Sequence, residues 1–472
     1  MKDPSDSALN RPEARPSWLI VALVRLLLRI FFRQVEVIGA ERMPRDKPVM
    51  VVANHGNALV DPAMLIAFMP VCPRFLGASY LWGKAILRPF LRLAAAIPVY
   101  RRQDAGADTS KNEQMFAACH RVLHAKNVIG LFPEGTSHHE PELLPLKTGV
   151  SRIVLEASRQ YADEHGEDLG AVILPVGLTF DEKGRFRSRA LVLIGEPVDI
   201  REDLANYTGD NQESREAVRS LTERVDDALR SVTLNFPSWE LAPVLERAAQ
   251  IFAKPTAKLP AEAALSERFA FYHTFIEGYA ILRERCPKQI DRVRKVAEEY
   301  DRRLGELGLK DVQVASAYPS GGVVRYVLKS LFLMTVRGPL AILGTIMNFL
   351  PYRLVGTIAR RLAVTPELPA TYKLLGSLVL FPVTWALWAA AAWFFGKDYL
   401  WGLLALVVGP LSGAVALLYH ERQEHLLRQA RAFFTLRSGS PEVTELRRMR
   451  EDVLAAVRLL AQVYREEIDA AR

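Results

Sequence analysis

The stretch PVMVVANHGNALVDP, residues 48–62, places a strand, a polar loop and a helix start next to one another. Its apolar, β-branched part, 48–53, predicts a strand buried on both faces. Asp61 followed by Pro62 predicts a helix start, with Asp61 as N-cap and Pro62 as the first helical residue. His55 therefore lies just beyond the carboxyl end of a buried strand, where ligands bind in open α/β sheets.

The same alternation of apolar runs and helices continues on both sides of this stretch. Further strands are predicted at 35–39, 96–100, 127–132, 171–179 and 190–194, with helices such as 112–124 between them. This alternation is typical of an α/β fold with a mostly parallel sheet. We therefore predict an α/β domain over residues 35–205, with a mostly parallel central sheet and flanking helices.

His55 and Asp61 form the first candidate site. Each has a structural alternative, because a histidine after a strand is often only a hydrogen-bonded loop residue and Asp-Pro is a common helix start. The intervening Gly-Asn-Ala-Leu-Val can form a turn that returns Asp61 toward the imidazole. A histidine oriented by a carboxylate is a general base with a fixed tautomer. We interpret the two residues as a catalytic pair.

A second segment, LFPEGTS at 131–137, also follows a predicted strand, and we expect it to act together with the first. Pro-Glu-Gly is an ordinary turn tripeptide, and Glu134 would then be a solvated carboxylate. In the functional interpretation, Gly135 lets the backbone approach a phosphorylated ligand, and Glu134 anchors an acceptor or braces the loop.

Other polar residues near these segments have weaker patterns. His138, His139 and Glu140 resemble a metal cluster, but adjacent histidines point in different directions and no further ligand pattern follows, so we predict no metal. Arg101 and Lys147 follow a strand or lie in a loop. Such residues are often only solvated, but here they are candidates for neutralising an acceptor phosphate.

Composition indicates a lipid-associated chain. Lys and Arg outnumber Asp and Glu by 61 to 53, which gives a net charge of +8, and half of the residues are hydrophobic. A basic balance suits nucleic acid, anionic lipid or phosphorylated substrates. No basic run is interleaved with aromatic residues, so we predict no nucleic-acid partner. Three scattered cysteines argue against a disulfide framework and against a zinc site.

The N-terminal residues 1–34 predict a disordered start followed by an amphipathic helix. Residues 18–32 are apolar, but Arg25 and Arg29 interrupt them at a four-residue spacing, and Arg33 continues the same helix face. A helix in the membrane interface accepts this pattern easily, whereas a spanning helix does not. The alternative is a helix that caps a soluble core.

The C-terminal third predicts a membrane hairpin. Residues 374–396 and 399–419 are charge-free runs, each long enough to span a bilayer, and only Lys397 and Asp398 separate them. The alternative is a pair of buried core helices. Basic residues flank the pair on both sides, and the positive-inside rule makes both flanks cytoplasmic. Arg337 interrupts a third apolar run, 331–350, which is a third membrane segment, a re-entrant segment or an interfacial one.

The remaining residues predict helices. We assign 206–330 to a charged helical region, 331–420 to membrane segments and 421–472 to a polar helical tail.

Four ordered blocks resemble the glycerophosphate acyltransferase family. They are Asn54 to Asp61, Ile97 to Arg101, Phe132 to Ser137 with 146–149 after it, and Ile173 to Val176. Five residues separate His55 from Asp61 where the family usually has four, and Ala95 stands where the second block opens with glycine. The longer spacing resembles the fungal-type glycerol-3-phosphate/dihydroxyacetone-phosphate acyltransferases.

The resemblance implies an acyltransferase, and the apolar runs with their basic flanks predict an integral membrane protein with its catalytic domain on the cytoplasmic face. His55 would take a proton from the acceptor hydroxyl, and Asp61 would hold the imidazole. Arg101, Gly135 and Lys147 would hold the acceptor phosphate, with Glu134 positioning the glycerol and Thr136 beside it in the third block. The family needs no cofactor, because an acyl-CoA or acyl carrier protein thioester is the co-substrate.

Three alternatives remain open. In the first, the enzyme uses the same chemistry but acylates lysophosphatidate or another lysophospholipid. The chain is instead a non-catalytic membrane protein that binds anionic lipid, or a hydrolase that uses His55 and Asp61 to direct water at a thioester. The lack of a Gly-x-Ser-x-Gly motif disfavours a serine hydrolase.

Overall fold

The computed structural model describes residues 15–83, 87–100, 112–209, 211–253, 263–315, 320–437 and 441–471. The chain divides into two compact units. The first comprises Met1–Asn235 and Thr365–Thr371, and the second comprises Phe236–Val364 and Tyr372–Arg472. Residues 1–14, for which the sequence predicts a disordered start, lie outside the described residues.

An eight-stranded sheet forms the centre of the first unit. Its strands are β1 (Gln34–Ile38), β2 (Val49–Ala53), β3 (Arg74–Ala78), β4 (Ile97–Val99), β5 (Val128–Leu131), β6 (Val172–Phe180), β7 (Arg189–Ile194) and β8 (Val198–Asp199). Their order is β1-β7-β6-β2-β5-β3-β4, with β8 also paired to β6. Only the pairs of β6 with β7 and β8 are antiparallel. The predicted mostly parallel sheet is confirmed, whereas β3 and β8 were not predicted.

Helices cover this sheet. They are α1 (Trp18–Phe31), α2 (Val60–Phe68), α3 (Arg88–Leu93), α4 (Asn112–His124), α5 (Gly149–His165), α6 (Arg201–Ala205) and α7 (Gln212–Ser231). All five residues of the central strand β2 are buried. Helix α7 contributes Val218, Leu221 and Val225 to the core of the sheet. Because α7 packs on the sheet, the N-terminal part of the first unit extends to Asn235.

Helix α1 buries one face and exposes another. Ile20, Leu28 and Phe31 are buried, whereas Trp18 is 75% exposed and Leu26 is 57% exposed. The α1 helix therefore packs on the core of its own unit, as in the soluble-core alternative, and it also presents an apolar surface that an interfacial helix needs.

The second unit contains a helical core. It is formed by α8 (Ala242–Ala253), α9 (Leu265–Arg285), α10 (Pro287–Leu307), α11 (Asp311–Val314) and the C-terminal α15 (Pro441–Ala471). Helix α15 places Leu446, Val453 and Val457 in this core. Arg450 Nε donates to Asp311 Oδ1 over 2.8 Å in a buried ion pair. The predicted helical region and the predicted polar tail therefore fold together.

Three long apolar helices lie between α11 and α15. They are α12 (Ser320–Leu362), α13 (Pro369–Gly396) and α14 (Tyr399–Arg437), and each is long and apolar enough to cross a membrane. The predicted hairpin corresponds to α13 and α14. The three helices meet at the buried Asn348, whose Nδ2 donates to Gly344 O (2.9 Å) and Gly409 O (3.1 Å) and whose Oδ1 accepts from Trp385 Nε1 (2.9 Å).

Gly177 in β6 tests the packing of α7 on the sheet. A Cβ on Gly177 would overlap the carbonyl oxygen of Val232, just beyond α7, and would lie 2.6 Å from its carbonyl carbon. We expect Gly177→Ala to destabilise the first unit by about 1–3 kcal/mol, because backbone has to move to admit the methyl group. The control is Gly149→Ala, where a Cβ meets no atom within 4 Å. Thermal unfolding of detergent-solubilised protein measures both, and equal midpoints would contradict the packing.

Candidate active site

The parallel pairing of β2 with β5 brings the two motifs together. Val49 to Val52 pair with Val128 to Leu131, so both strands end at the same edge of the sheet. The N–H of His55, beyond β2, donates to Glu134 Oε1, beyond β5, over 2.7 Å. In return the N–H of His138 donates to the carbonyl oxygen of His55 over 3.1 Å. The two loops therefore hold each other although 79 residues separate them.

His55 and Asp61 form the predicted pair. His55 Nδ1 lies 2.9 Å from Asp61 Oδ2, and that oxygen also accepts the N–H of Asn57 over 2.7 Å. The Asp61 side chain is fully buried, whereas 18% of the His55 side chain is exposed. The carboxylate assigns the ring proton to Nδ1 and leaves the lone pair on Nε2. This arrangement suits a general base whose cationic form the carboxylate stabilises.

The prediction that Asp61 is the N-cap of its helix is wrong. Helix α2 begins at Val60, so Asp61 lies within its first turn and makes no capping bond. Its carboxylate turns back toward Asn57 and His55 instead. The loop between His55 and Asp61 bends at Ala58, which has a φ of 43° and whose N–H donates to Ser137 Oγ over 3.1 Å.

Aromatic rings fix the plane of the His55 imidazole. Phe132 stacks on His55 with ring centroids 4.0 Å apart and planes 12° apart. Phe75, from the unpredicted strand β3, also stacks on Phe132, with ring centroids 5.6 Å apart. A Cβ on Gly130 would lie 2.7 Å from the Phe75 ring, so glycine at this position of β5 is needed for the stack.

Glu134 braces the site from within. Its side chain is fully buried, and its Oε2 accepts from the Leu144 N–H (3.0 Å) and from His138 Nε2. The Glu140 N–H donates to His138 Nδ1 over 3.1 Å, which assigns the His138 proton to Nε2. Since both Glu134 oxygens have protein donors, the geometry favours the bracing interpretation over direct contact with an acceptor.

The other predicted substrate-binding residues differ in what they contact. Gly135 has a φ of 74°, and its N–H donates to Phe132 O over 3.0 Å, so that N–H closes the turn. A Cβ on Gly135 would lie 2.8 Å from Lys147 Cδ and would overlap Nζ, so the lysine chain crosses directly over the turn. The Thr136 hydroxyl makes a local contact with Ser137 O at 3.4 Å. Arg101 lies outside the described residues.

Lys183 belongs to the site but was not predicted. It lies in the turn between β6 and β7, where its carbonyl oxygen accepts from Asn57 Nδ2 over 3.2 Å. A Cβ on Gly56 would lie 2.6 Å from Lys183 Nζ. Burial lowers the pKa of Lys183, while the carboxylates of Asp61, Glu134 and Glu367 oppose that shift. In the sequence, nothing separates this lysine from an ordinary solvated turn residue.

Thr371 was also missed. It belongs to Thr365–Thr371, a segment that follows α12, includes the first turn of α13 and is part of the first unit. Its Oγ1 accepts the N–H of Leu59, in the catalytic loop, over 3.2 Å and across 312 residues of sequence. The neighbouring Ala370 is fully buried. No local pattern in the sequence signals a contact across that separation.

The cysteines near the site do not offer a nucleophile. Burial raises the pKa of Cys72 and of Cys119 to about 12, so both thiols stay protonated at neutral pH. Among the residues that the structure describes, no three His, Cys, Asp or Glu side chains are grouped as metal ligands.

Comparisons with known proteins give matches to both units. Residues 34–179 match the family model described as Acyltransferase, and residues 244–465 match that of the Glycerol-3-phosphate acyltransferase 2 C-terminal domain. The chain is 32% identical over 210 residues to glycerol-3-phosphate O-acyltransferase 2 of Saccharomyces cerevisiae, which is 44% of this chain and 26% of that protein. The chain thus spans about a quarter of the length of this relative.

Two further relatives extend the comparison. An uncharacterized acyltransferase of Schizosaccharomyces pombe is 26% identical over 474 residues, covering 80% of this chain and 68% of that protein. The 1-acyl-sn-glycerol-3-phosphate acyltransferase alpha of Mus musculus is 29% identical over 140 residues, covering 29% of this chain and 47% of that protein. Residues 34–179 therefore form an acyltransferase domain, and the matches of the chain as a whole agree with the fungal-type glycerol-3-phosphate acyltransferase branch.

Proposed function

We propose that the chain is a membrane-bound O-acyltransferase of phosphatidic acid and phospholipid biosynthesis. It moves a fatty acyl group from a thioester to glycerol 3-phosphate or dihydroxyacetone phosphate. The observation that carries the proposal is the His55–Asp61 pair, held at 2.9 Å with the carboxylate buried and the imidazole partly exposed. The name of the Saccharomyces cerevisiae relative supports this choice of acceptor.

The geometry supports a direct transfer. His55 Nε2 takes the proton of the acceptor hydroxyl while Asp61 stabilises the imidazolium. The acceptor oxygen forms a C–O bond with the thioester carbonyl carbon, and the tetrahedral intermediate expels the thiolate as the C–S bond breaks. The imidazolium then returns the proton to the thiolate. No protein nucleophile takes part, consistent with the high pKa of the thiols of Cys72 and Cys119.

Cations around the pair suit a phosphorylated acceptor. Lys147 crosses the Gly135 turn, and Lys183 lies beside Gly56 in the catalytic loop. Arg101 stays a sequence-based candidate for the same role. The reaction requires an acyl-CoA or acyl carrier protein thioester as co-substrate and no resident cofactor or metal.

The membrane supplies the acyl donor and receives the product. The exposed apolar face of α1 and the apolar helices α13 and α14 provide the contacts with lipid. The basic residues on both flanks of the hairpin support a cytoplasmic location of the catalytic unit. The alternative acceptor is lysophosphatidate, which the match to the Mus musculus relative favours.

Replacing the catalytic pair tests the reaction. We expect His55→Ala and Asp61→Asn each to lower kcat by about 10²–10⁴-fold, because the general base is lost or its tautomer is no longer fixed. The measurement is transfer of labelled acyl groups by detergent-purified protein, with glycerol 3-phosphate, dihydroxyacetone phosphate and lysophosphatidate offered separately. The control is His165→Ala at the exposed end of α5, which should retain full activity.

The acceptors separate the alternatives. Activity with lysophosphatidate alone would support the proposed chemistry and would show that lysophosphatidate, not glycerol 3-phosphate, is the acceptor. Release of free fatty acid without an acceptor would indicate the hydrolase. Lipid binding that His55→Ala leaves unchanged, without turnover of any acceptor, would indicate the non-catalytic protein.

Lys147 tests the phosphate contact. We expect Lys147→Met to raise KM for glycerol 3-phosphate by about tenfold or more, because a charge-assisted hydrogen bond contributes about 1.5–3 kcal/mol. The matched control is Lys47→Met, an exposed lysine ahead of β2. Steady-state kinetics at fixed donor measure the effect. A lower kcat with KM unchanged would assign Lys147 to the transition state or to the fold instead.

Glu134 distinguishes a brace from an anchor. We expect Glu134→Gln to lower kcat and the unfolding temperature while KM for glycerol 3-phosphate changes less than about twofold, because an amide N–H would face one of the protein donors. The control is Glu140→Gln, an exposed carboxylate in the same loop. A raised KM with unchanged stability would instead show that Glu134 contacts the acceptor.

A further inference from the structure

The number of apolar helices that cross the membrane decides on which side of the bilayer the flanking residues lie. If α12, α13 and α14 all crossed, the residues before α12 and those after α14 would lie on opposite sides of the bilayer. Length does not exclude this arrangement, because residues 332–362 would measure about 46 Å as a helix against a hydrocarbon thickness of about 30 Å.

The core of the second unit excludes three crossings. Val293, Ala297 and Leu304 precede the apolar helices, Leu446, Val453 and Val457 follow them, and all six residues share one core. The buried ion pair between Asp311 and Arg450 joins the same two segments. Because one packed core lies on one side of a bilayer, the apolar helices must cross it an even number of times.

The linker between α12 and α13 identifies the helix that does not cross. Thr365–Thr371 is part of the catalytic unit, where Thr371 Oγ1 accepts the N–H of Leu59. Within the described residues ahead of Phe332, no helix qualifies as a span. The catalytic unit, the helical region and this linker therefore share one side, so α12 begins and ends on that side.

Charge along the helices agrees with this conclusion. Arg337 and Arg353 are both exposed, and only the fifteen residues 338–352 separate them, about 23 Å of helix. A crossing α12 would therefore place at least one arginine inside the hydrocarbon layer, which is unfavourable. In α13, by contrast, residues 374–396 are free of charge for about 34 Å.

We propose that α12 lies within a single membrane leaflet without crossing, and that α13 and α14 form the crossing pair. The partner of α12 is the acyl-chain layer of that leaflet, which its exposed side chains contact: Ile342, Ile346, Phe349 and Leu350. Its arginines reach the headgroups of the same leaflet. This topology does not rest on the proposed enzymatic activity.

Cysteine accessibility in sealed vesicles tests the topology with the full chain. The probes are Val364→Cys, directly ahead of the linker, Lys397→Cys in the hairpin turn and Glu167→Cys on the exposed surface of the catalytic unit. A membrane-impermeant maleimide is applied from outside to vesicles of each orientation. Wild type gives the background from Cys72, Cys119 and Cys286, and labelling in detergent shows that each added thiol can react.

We expect Val364→Cys and Glu167→Cys to be labelled in the same vesicle orientation and Lys397→Cys only in the opposite one. Labelling of Val364→Cys together with Lys397→Cys, and apart from Glu167→Cys, would show that α12 crosses and would overturn the proposal. Labelling of all three from one side would show that α13 and α14 do not cross, which overturns it equally. Thermal unfolding of each variant confirms that the added cysteine leaves the fold intact.

Discussion

The buried carboxylate of Glu134 is the constraint on which the site depends. It accepts the N–H of His55, the N–H of Leu144 and the Nε2–H of His138, so three parts of the chain converge on two oxygens. A buried carboxylate without such donors would cost several kcal/mol. The loops beyond β2 and β5 must therefore form together, and the position of His55 is set by a residue 79 positions away as much as by its own loop.

Two buried carboxylates of different function require a nearby positive charge. Asp61 Oδ2 forms the hydrogen bond with the imidazole, while Oδ1 has no hydrogen-bond partner within the part of the chain that the structure describes. Lys183 interacts with Asp61 and with Glu134, and its charge offsets their mutual repulsion. Under the proposed function, the positive charge of Lys183 would also attract the phosphate of an anionic acceptor, so the same lysine would serve both the buried carboxylates and the substrate.

The sequence predicted those parts of the fold whose signal is local. Strand β2 was visible because all its residues are apolar, and the pairing of motifs followed from parallel strands sharing an edge. Strand β3 escaped prediction because its Arg74 is buried by a contact that no local pattern encodes, a hydrogen bond to Ala95 O. The amphipathic pattern of α7 is likewise visible in the sequence, but the sheet on which this helix packs is not. Lys183 and Thr371 depend on contacts across 126 and 312 residues.

The hydrogen bond from Leu59 to Thr371 connects the chemistry to the membrane. Thr371 lies in the first turn of α13, a helix that continues without a charge from Leu374 to Gly396. The loop that carries His55 and Asp61 is therefore bonded to the beginning of an apolar helix across 312 residues of sequence. Under the proposed function, this bond would hold the imidazole close to the end of a helix that enters the bilayer. A water-soluble phosphorylated acceptor and an acyl thioester, whose chain prefers the bilayer, would have to meet at such a boundary.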